Sequence, residues 1–150
     1  MTKEEAMRLL EDAGYRHSRR RERMVQILAD EDRYLTAREL WEKMQAAYPE
    51  LSADTIYRNL GLLHDMGIVT MTEFQGERRY RFHCGIRDHH HHFICLGCGA
   101  SEEVLDCPLD HLQHRFKDAA IVGHRFEIFG YCPACQQKAR DGEGYGTALV

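Results

Sequence analysis

The sequence predicts an α+β protein in which an N-terminal winged helix-turn-helix domain, residues 1–83, is followed by a small α/β domain, residues 84–150. Two observations support this division. Capped helices and then two short strands fill the first part, which is the element order of a winged helix-turn-helix. Most of the histidines and all but one of the cysteines follow residue 84, so a hinge is expected near residues 83–88.

Four helices are predicted in the first part, each from a capping residue followed by apolar residues at helical spacing. The caps are, in chain order, Thr2, Ser18, Thr36 and Ser52. The two threonines are each followed three residues later by a glutamate, which makes a capping box. Gly67 ends the fourth helix, and two strands, residues 68–74 and 78–82, are joined by a turn that contains Gly76.

The second part is predicted to contain a strand, a helix and a further strand, at residues 92–96, 107–119 and 123–130. Residues 141–150 include three glycines, and we expect this tail to be disordered. No internal repeat and no low-complexity linker interrupts the chain.

Composition indicates a soluble globular protein, since 43% of the residues are hydrophobic and 29% are charged. No apolar run is long enough to span a bilayer, and the acidic N-terminus is unlike a signal peptide, so we expect a cytoplasmic protein without a membrane partner. The net charge of −4 does not favour nucleic-acid binding. However, five arginines between residues 16 and 23 form a local basic patch that can meet phosphate.

The strongest chemical signal is a pair of Cys-x-x-Cys sequences, with Cys95 and Cys98 in the first and Cys132 and Cys135 in the second. Four thiolates suit a tetrahedral zinc ion. In a reducing compartment this pairing favours structural zinc over two redox dithiols or two disulfides. Because a helix and strands must fit inside the loop, the ion is expected to couple to folding of the second part.

Four consecutive histidines, residues 89–92, precede the first Cys-x-x-Cys. An extended backbone turns alternate side chains to opposite faces, so the run can supply two different metal sites. The sensing zinc site is predicted to contain Cys84, His90 and His92, with Glu73 as the fourth ligand and Glu103 as its competitor. A mixed thiolate, imidazole and carboxylate set favours zinc over iron(II).

The other two histidines of the run predict a third metal site. Its ligands are expected to be His89 and His91, with Asp110 and His124 as the candidates that complete it. The alternative for His124 is a hydrogen-bonded surface histidine. About two or three zinc ions per subunit are therefore expected as cofactors.

Enzymatic function is not expected. The sequence has neither H-E-x-x-H nor the zinc-deaminase pattern, and the predicted sites are filled by protein ligands, which leaves no position for a reactive water. Cys107 precedes Pro108 at a helix start and is interpreted as an inert, partly buried thiol. No small-molecule substrate is predicted.

Three segments resemble the ferric uptake regulator family: residues 54–60, Asp-Thr-Ile-Tyr-Arg-Asn-Leu; residues 89–99, with the histidine run and the first Cys-x-x-Cys; and residues 127–132, Glu-Ile-Phe-Gly-Tyr-Cys. The resemblance covers nearly the whole chain except the glycine-rich tail. It implies a homodimer whose subunits have a winged-helix DNA-binding domain and an α/β dimerisation domain, with metal acting as corepressor.

The resemblance also implies which residues contact operator DNA. Tyr57 and Arg58, on the fourth helix, would reach bases and phosphates in the major groove. Arg16 would enter an adjacent A·T-rich minor groove. Ser52 and Thr55 would contact phosphates.

Differences within the family favour its zinc-uptake branch. Iron- and peroxide-sensing relatives usually have a histidine just before the third helix, where this chain has Arg33 and Tyr34. They also have a carboxylate on the second hairpin strand, where this chain has Arg81. Cys84 instead resembles the zinc uptake regulators.

We therefore expect a zinc-responsive repressor that binds A·T-rich inverted-repeat operators and represses zinc-uptake genes. Zinc at the Cys84 site is expected to hold the two domains in a DNA-competent arrangement. The alternative within the family is an iron or peroxide sensor. Outside the family, the alternatives are a zinc-dependent hydrolase or a zinc-storage protein.

Overall fold

The computed structural model of the chain describes residues 1–83 and 90–140. Predictions that fall on Cys84, His89, the hinge beyond His83 and the tail 141–150 lie outside the described residues. The backbone contacts divide the chain into two compact units, Met1–Gly85 and Ile86–Val150. Within the described ranges, no helix combines the length and the apolar character needed to cross a membrane.

The first unit contains four helices and a three-stranded antiparallel sheet. Its elements are α1 (Lys3–Asp12), α2 (Arg19–Glu31), β1 (Leu35–Thr36), α3 (Ala37–Gln45), α4 (Ala53–Asp65), β2 (Val69–Phe74) and β3 (Glu77–Phe82). The strand order is β1-β3-β2. Helices followed by a two-stranded wing are the predicted winged helix-turn-helix arrangement. Strand β1, which has only two residues, was not predicted because its alternation is too short to recognise.

All four predicted helix caps are confirmed. The hydroxyls of Thr2 and Thr36 each accept a hydrogen bond from the backbone N–H three residues later. In return, the backbone N–H of each threonine donates to the glutamate carboxylate of its capping box. Ser18 and Ser52 cap α2 and α4 in the same way, without the glutamate. These caps satisfy donors that a helix start would otherwise leave without a partner.

The hairpin turn and the helical core fix the position of the wing. Gln75 and Gly76 both have positive φ, 51° and 83°, which matches the twist of a two-residue hairpin. The core is formed by one apolar face from each helix together with strand residues. Leu10, Leu28, Leu40, Ile56, Leu60 and Leu63 are all fully buried in it. Helix α4 is therefore held by one face, and its other face is exposed.

The second unit is a small α/β unit around a three-stranded sheet. Its elements are β4 (His91–Cys95), β5 (Ser101–Val104), α5 (Pro108–Leu112), a 3-10 turn (Gln113–Phe116), β6 (Glu127–Gly130) and α6 (Pro133–Arg140). The strand order is β5-β4-β6, with β4 antiparallel to β5 and parallel to β6. The predicted α+β class is confirmed.

Two predicted elements of the second unit are shorter than expected, and two were missed. The helix predicted over 107–119 is an α-helix only over Pro108–Leu112, and a 3-10 turn follows it. Its apolar residues Leu112 and Phe116 are 42% and 46% exposed, so no packing stabilises a longer helix among the described residues. The strand predicted over 123–130 begins only at Glu127, where pairing with β4 begins. Strand β5 and helix α6 were not predicted.

Candidate metal centres and DNA-contact helix

The four cysteines of the two Cys-x-x-Cys sequences lie together. Cys95 ends β4 and Cys98 lies in the following turn, whereas Cys132 follows β6 and Cys135 lies in α6. Parallel pairing of β4 with β6 brings the two pairs to the same edge of the sheet. Their four sulfurs lie within 4.8 Å of one another, with 3.8 Å between Cys98 Sγ and Cys132 Sγ. This donor set is suitable for a tetrahedral zinc ion.

Glycine permits this geometry at two positions. Gly99 has φ of 76°, which closes the turn after Cys98. A Cβ at Gly130 would lie 3.0 Å from Phe93 Cε2, so a larger residue would require the Phe93 ring to shift. Gly130 is the strand partner of Cys95, so the parallel pairing of β4 with β6 continues up to the cysteines.

The four thiols differ in their electrostatic surroundings. Burial raises the pKa of Cys95, but backbone N–H groups of Cys132, Cys98 and Gly97 donate towards its sulfur and lower the pKa to about 6. Burial, together with the neighbouring thiols, raises the pKa of Cys135 to about 12. One thiolate is therefore readily formed, but several in so small a volume repel one another. A divalent cation would remove that repulsion, and its binding would release protons.

The histidine run alternates across β4 as an extended backbone requires. The rings of His90 and His92 lie on one side, with centroids 4.8 Å apart. The ring of His91 turns to the other side, against His124 and Phe126. The histidines of the run therefore lie in two separate environments within the second unit.

The two candidates for the fourth sensing ligand have different neighbours. Glu103 on β5 is the cross-strand partner of His92 and is exposed. Glu73 on β2 is engaged by Arg78, whose Nε lies 2.9 Å from its carboxylate. Cys84 lies outside the described residues.

The predicted third site is only partly assembled. His91 and His124 are neighbours, with 3.3 Å between their Nε2 atoms. Asp110 is exposed and is not in this group, and His89 lies outside the described residues. Instead, Cys107 is the third member, with Sγ 3.2 Å from His124 Nε2. Sequence reasoning missed it because a lone Cys-Pro at a helix start carries no ligand spacing.

The exposed face of α4 carries the predicted major-groove residues. Tyr57 is 56% exposed, and the exposed Arg58 forms an ion pair with Asp54 one turn earlier, at 2.8 Å. Ser52 and Thr55 lie at the start of the helix, where their hydroxyls share a hydrogen bond of 2.9 Å. Both hydroxyls are at the surface of the unit.

Arg16, the predicted minor-groove residue, is exposed in the segment before α2, and Arg21 anchors that segment. Arg21 donates from Nε to the Asn59 side chain on α4 at 3.1 Å, and from Nη1 to the Arg16 carbonyl. Its guanidinium also lies over the ring of Tyr15, 5.6 Å from the centroid. The Asn59 side-chain NH₂ donates in turn to the Thr55 carbonyl, and this hydrogen bond orients the Asn59 side-chain oxygen towards Arg21. Sequence reasoning counted Arg21 only as part of a basic patch.

The two residues on which the predicted branch rests, Tyr34 and Arg81, are both buried. Tyr34 is 2% exposed, and Arg81 is 7% exposed. Arg81 forms an ion pair with Asp32, with 2.8 Å between Nη2 and the carboxylate. Its Nε and Nη1 have no hydrogen-bond partner among the described residues. A buried phenol and a buried guanidinium are therefore found at the two positions from which the branch was predicted.

Comparison with known proteins gives concordant results. The sequence model of the ferric uptake regulator family matches residues 12–129. A ferric uptake regulation protein of Staphylococcus epidermidis is 38% identical over 139 residues, which are 93% of this chain and 100% of that protein.

Two solved structures are also similar. The Helicobacter pylori ferric uptake regulator, described as having three functional metal binding sites, gives a TM-score of 0.71 at 26% identity, covering 91% of this chain and 95% of that one. A zinc uptake regulator complexed with zinc and DNA gives 0.66 at 24% identity, covering 93% and 99%, and shows the same fold.

Proposed function

This chain belongs to the ferric uptake regulator family, and on that premise we propose that it is a zinc-responsive transcriptional repressor that acts in the cytoplasm. The chain is a metal-responsive, dimeric DNA-binding regulator of transcription and not an enzyme. What we propose beyond this is the metal that is sensed, the ligands that bind it and the residues that contact DNA.

The observation that carries zinc as the sensed metal is the buried Arg81. Its guanidinium stands where a carboxylate ligand is expected in iron-sensing relatives, and it pairs with Asp32. A fixed positive charge repels a cation at short range, so this position cannot serve an iron(II) site of that kind. Tyr34, buried at the second position, offers no imidazole either.

The proposed sensing site uses a different ligand set. Cys84, His90 and His92 supply a thiolate and two imidazoles, which suit zinc better than iron(II). Glu73 or Glu103 supplies the fourth ligand. The register that places Glu103 opposite His92 supports the second candidate, whereas use of Glu73 requires its ion pair with Arg78 to open.

A separate zinc ion is proposed at Cys95, Cys98, Cys132 and Cys135, where it stabilises the second unit. About two or three zinc ions per subunit follow once the site on the His91 side of β4 is included. The three metal sites described for the Helicobacter pylori protein support that count.

In the proposed DNA complex, α4 enters the major groove and presents Tyr57 and Arg58 to it. Arg16 reaches the adjacent A·T-rich minor groove, and Ser52 and Thr55 contact phosphates. The operator is an A·T-rich inverted repeat, which matches the two-fold symmetry of a dimer, and the regulated genes serve zinc uptake. Zinc binding shifts the conformational population towards the state that fits both half-sites.

The dimer also explains an apolar surface on the second unit. Six large apolar side chains among the described residues of that unit are exposed in the single chain: Leu105, Leu112, Phe116, Ile121, Val122 and Ile128. Exposed apolar area on this scale is typical of a protein interface. We assign these side chains to the contact with the second subunit.

An iron-responsive repressor is the second candidate function. The 38% identity to a ferric uptake regulation protein over almost the whole chain favours it. The two candidates differ in which metal activates operator binding at a given free concentration.

The test is operator binding across a metal series. Wild-type protein with its structural zinc retained is titrated onto an A·T-rich inverted repeat with buffered zinc, iron(II) or chelator. We expect zinc to activate binding at a lower free concentration than iron(II). Cys84→Ser should remove the zinc response, whereas His111→Ala, an exposed histidine outside every proposed site, should retain it. Full zinc activation of Cys84→Ser would contradict the sensing assignment.

A matched pair of variants identifies the fourth ligand. Glu73→Gln and Glu103→Gln each remove one carboxylate charge and keep the side-chain size. We expect the true ligand's variant to need at least about tenfold more free zinc for operator binding, the loss typical of a disturbed metal site. The other variant should require the same free zinc as the wild type. Wild-type zinc dependence in both variants would mean that neither carboxylate binds zinc.

A further inference from the structure

We propose that Arg78, near the tip of the wing formed by β2 and β3, is a further DNA-contact residue, and that Glu73 holds its guanidinium until an operator phosphate replaces the carboxylate. The same guanidinium therefore has two alternative anionic partners, one in the free protein and one in the complex. The inference rests on the proposed docking of α4 in the major groove, but it does not depend on which metal is sensed. It also gives Glu73 a role that does not require it to bind zinc.

The register of the wing places the two side chains beside each other. Glu73 and Arg78 are cross-strand partners, and only one further pair separates them from the turn at Gln75 and Gly76. Arg78 Nε lies 2.9 Å from a carboxylate oxygen of Glu73, and the two side chains are 61% and 45% exposed. An ion pair this exposed is weak, because water screens it. A stronger anionic partner can therefore open it at little cost.

The ion pair lies on the sheet face that packs against the helices. Side chains alternate between the two faces of a strand, so Arg78 shares a face with Tyr80, and Glu73 shares that face with Met71. Tyr80 is 6% exposed and belongs to the helical core, against which Met71 also packs. The same face is therefore buried over the helices and becomes exposed and charged towards the turn.

The exposed end of this face lies close to Tyr57 of α4. Burial is the main reason that the pKa of Tyr80 is raised. The Tyr57 phenol and the Glu73 carboxylate raise this pKa further, whereas the Arg78 guanidinium lowers it. Such effects act over short distances, so the four side chains lie in one neighbourhood. Since Tyr57 is 56% exposed and is a proposed major-groove residue, Arg78 flanks the DNA-contacting part of α4.

Phosphate is the anion that suits this position. A hairpin beside a helix in the major groove lies over the edge of that groove, which the phosphate backbone forms. The planar guanidinium of Arg78 presents donors that match phosphate oxygens. Contact with duplex phosphate also releases a condensed counterion, a gain that pairing with Glu73 does not provide. Exchange of the carboxylate for phosphate therefore favours the complex.

A double-mutant cycle on the full-length dimer tests the exchange, at free zinc that saturates operator binding of each variant. Affinity for an A·T-rich inverted repeat and for an unrelated duplex is measured at several salt concentrations. Arg78→Ala should lower operator affinity by about tenfold or more and make its salt dependence shallower. Glu73→Gln should raise affinity for both duplexes by about twofold or more, and this gain should vanish when it is combined with Arg78→Ala.

Arg125→Ala is the matched control. The Arg125 side chain is 63% exposed and forms an ion pair with Glu127 in the second unit, with 3.0 Å between Nη2 and the carboxylate. This variant should bind both duplexes like the wild type. An equal loss of affinity in Arg125→Ala and Arg78→Ala would mean that net charge alone sets the effect, and the proposal would be wrong.

Two further results would overturn the proposal. One is wild-type affinity and salt dependence in Arg78→Ala. The other is an equal gain from Glu73→Gln with and without Arg78, because Glu73 would then repel DNA directly. Arg58→Ala reports separately on the proposed function: weaker binding of Arg58→Ala with unchanged binding of Arg78→Ala refutes this inference alone, whereas unchanged binding of both refutes the docking of α4.

Discussion

Arg21 is predicted to position the DNA-contacting segment, and its removal should weaken operator binding by more than the loss of one positive charge. Arg21 joins the start of α2 to α4 through Asn59 and holds the carbonyl of Arg16 and the ring of Tyr15. Without it, the segment that carries Arg16 is no longer tied to the helix that enters the major groove. Ordering that segment on DNA then costs conformational entropy.

The magnitude follows from the three contacts. The charge-assisted hydrogen bond to Asn59 is partly buried and contributes about 1.5–3 kcal/mol. The contact with the Tyr15 ring adds about 0.5–1 kcal/mol, and the 3.4 Å hydrogen bond to the Arg16 carbonyl adds little. We therefore expect Arg21→Ala to lower the free energy of unfolding by about 2–4 kcal/mol and operator affinity by tenfold or more, since about 1.4 kcal/mol is tenfold.

The assay distinguishes the positioning role of the Arg21 side chain from the effect of its positive charge on operator affinity. Operator affinity is measured at several salt concentrations for Arg21→Ala, Arg21→Lys and Arg19→Ala, and stability by urea denaturation. Arg21→Lys keeps the charge but loses the planar fork, so it should retain the salt dependence and still lose most of the affinity. Arg19→Ala removes an exposed charge from the same helix and should lose only the salt-dependent part. If Arg21→Lys binds like the wild type, Arg21 acts by charge alone and the reasoning fails.

Three further predictions concern other features. Gly61→Ala should stabilise the protein by up to about 1 kcal/mol in thermal unfolding, because a Cβ at that position meets nothing within 4 Å. Gly61→Phe should also fold, but it should bind operator less well because its ring projects from the helix face that carries Tyr57. Arg81→Glu should destabilise by about 3 kcal/mol or more in urea because it buries a carboxylate beside Asp32, whereas Arg81→Met should stay within about 1 kcal/mol. Zinc-free protein should show a thiolate absorbance with a midpoint near pH 6 that Cys95→Ser lacks. Since the pKa of Cys95 is lowered by folding, its ionisation stabilises the zinc-free fold at neutral pH, and this contribution is lost as pH falls through about 6.

Local rules were sufficient for much of the fold. The caps at Thr2, Ser18, Thr36 and Ser52 depend on residues within one helical turn, so they could be predicted and are all observed. The helix predicted over 107–119 depends instead on whether Leu112 and Phe116 find a surface to pack against. Among residues 1–83 and 90–140 of the single chain they do not, and the α-helix ends at Leu112. Strand β5 was missed for a related reason, because its pairing with β4 is a tertiary contact.

Metal-ligand patterns with a characteristic residue spacing could likewise be predicted from the sequence alone. Two Cys-x-x-Cys sequences specify four thiolates, and a run of histidines in extended backbone specifies two opposed sets of imidazoles. The structure brings the four sulfurs together and shows the alternation of His90, His91 and His92. The alternation of the histidines follows from short-range geometry, whereas the meeting of the two cysteine pairs also requires the pairing of β4 with β6.

Only the tertiary structure decided which residues of distant segments become neighbours. Cys107 enters the group of His91 and His124, although nothing in its local sequence marks it as a ligand and Asp110 is the more obvious donor. Arg21 reaches Asn59 across thirty-eight residues and thereby becomes an anchor rather than one arginine in a basic cluster. Partners of this kind are chosen by the packing of helices and strands, since burial and chain path, and not sequence spacing, determine which side chains meet.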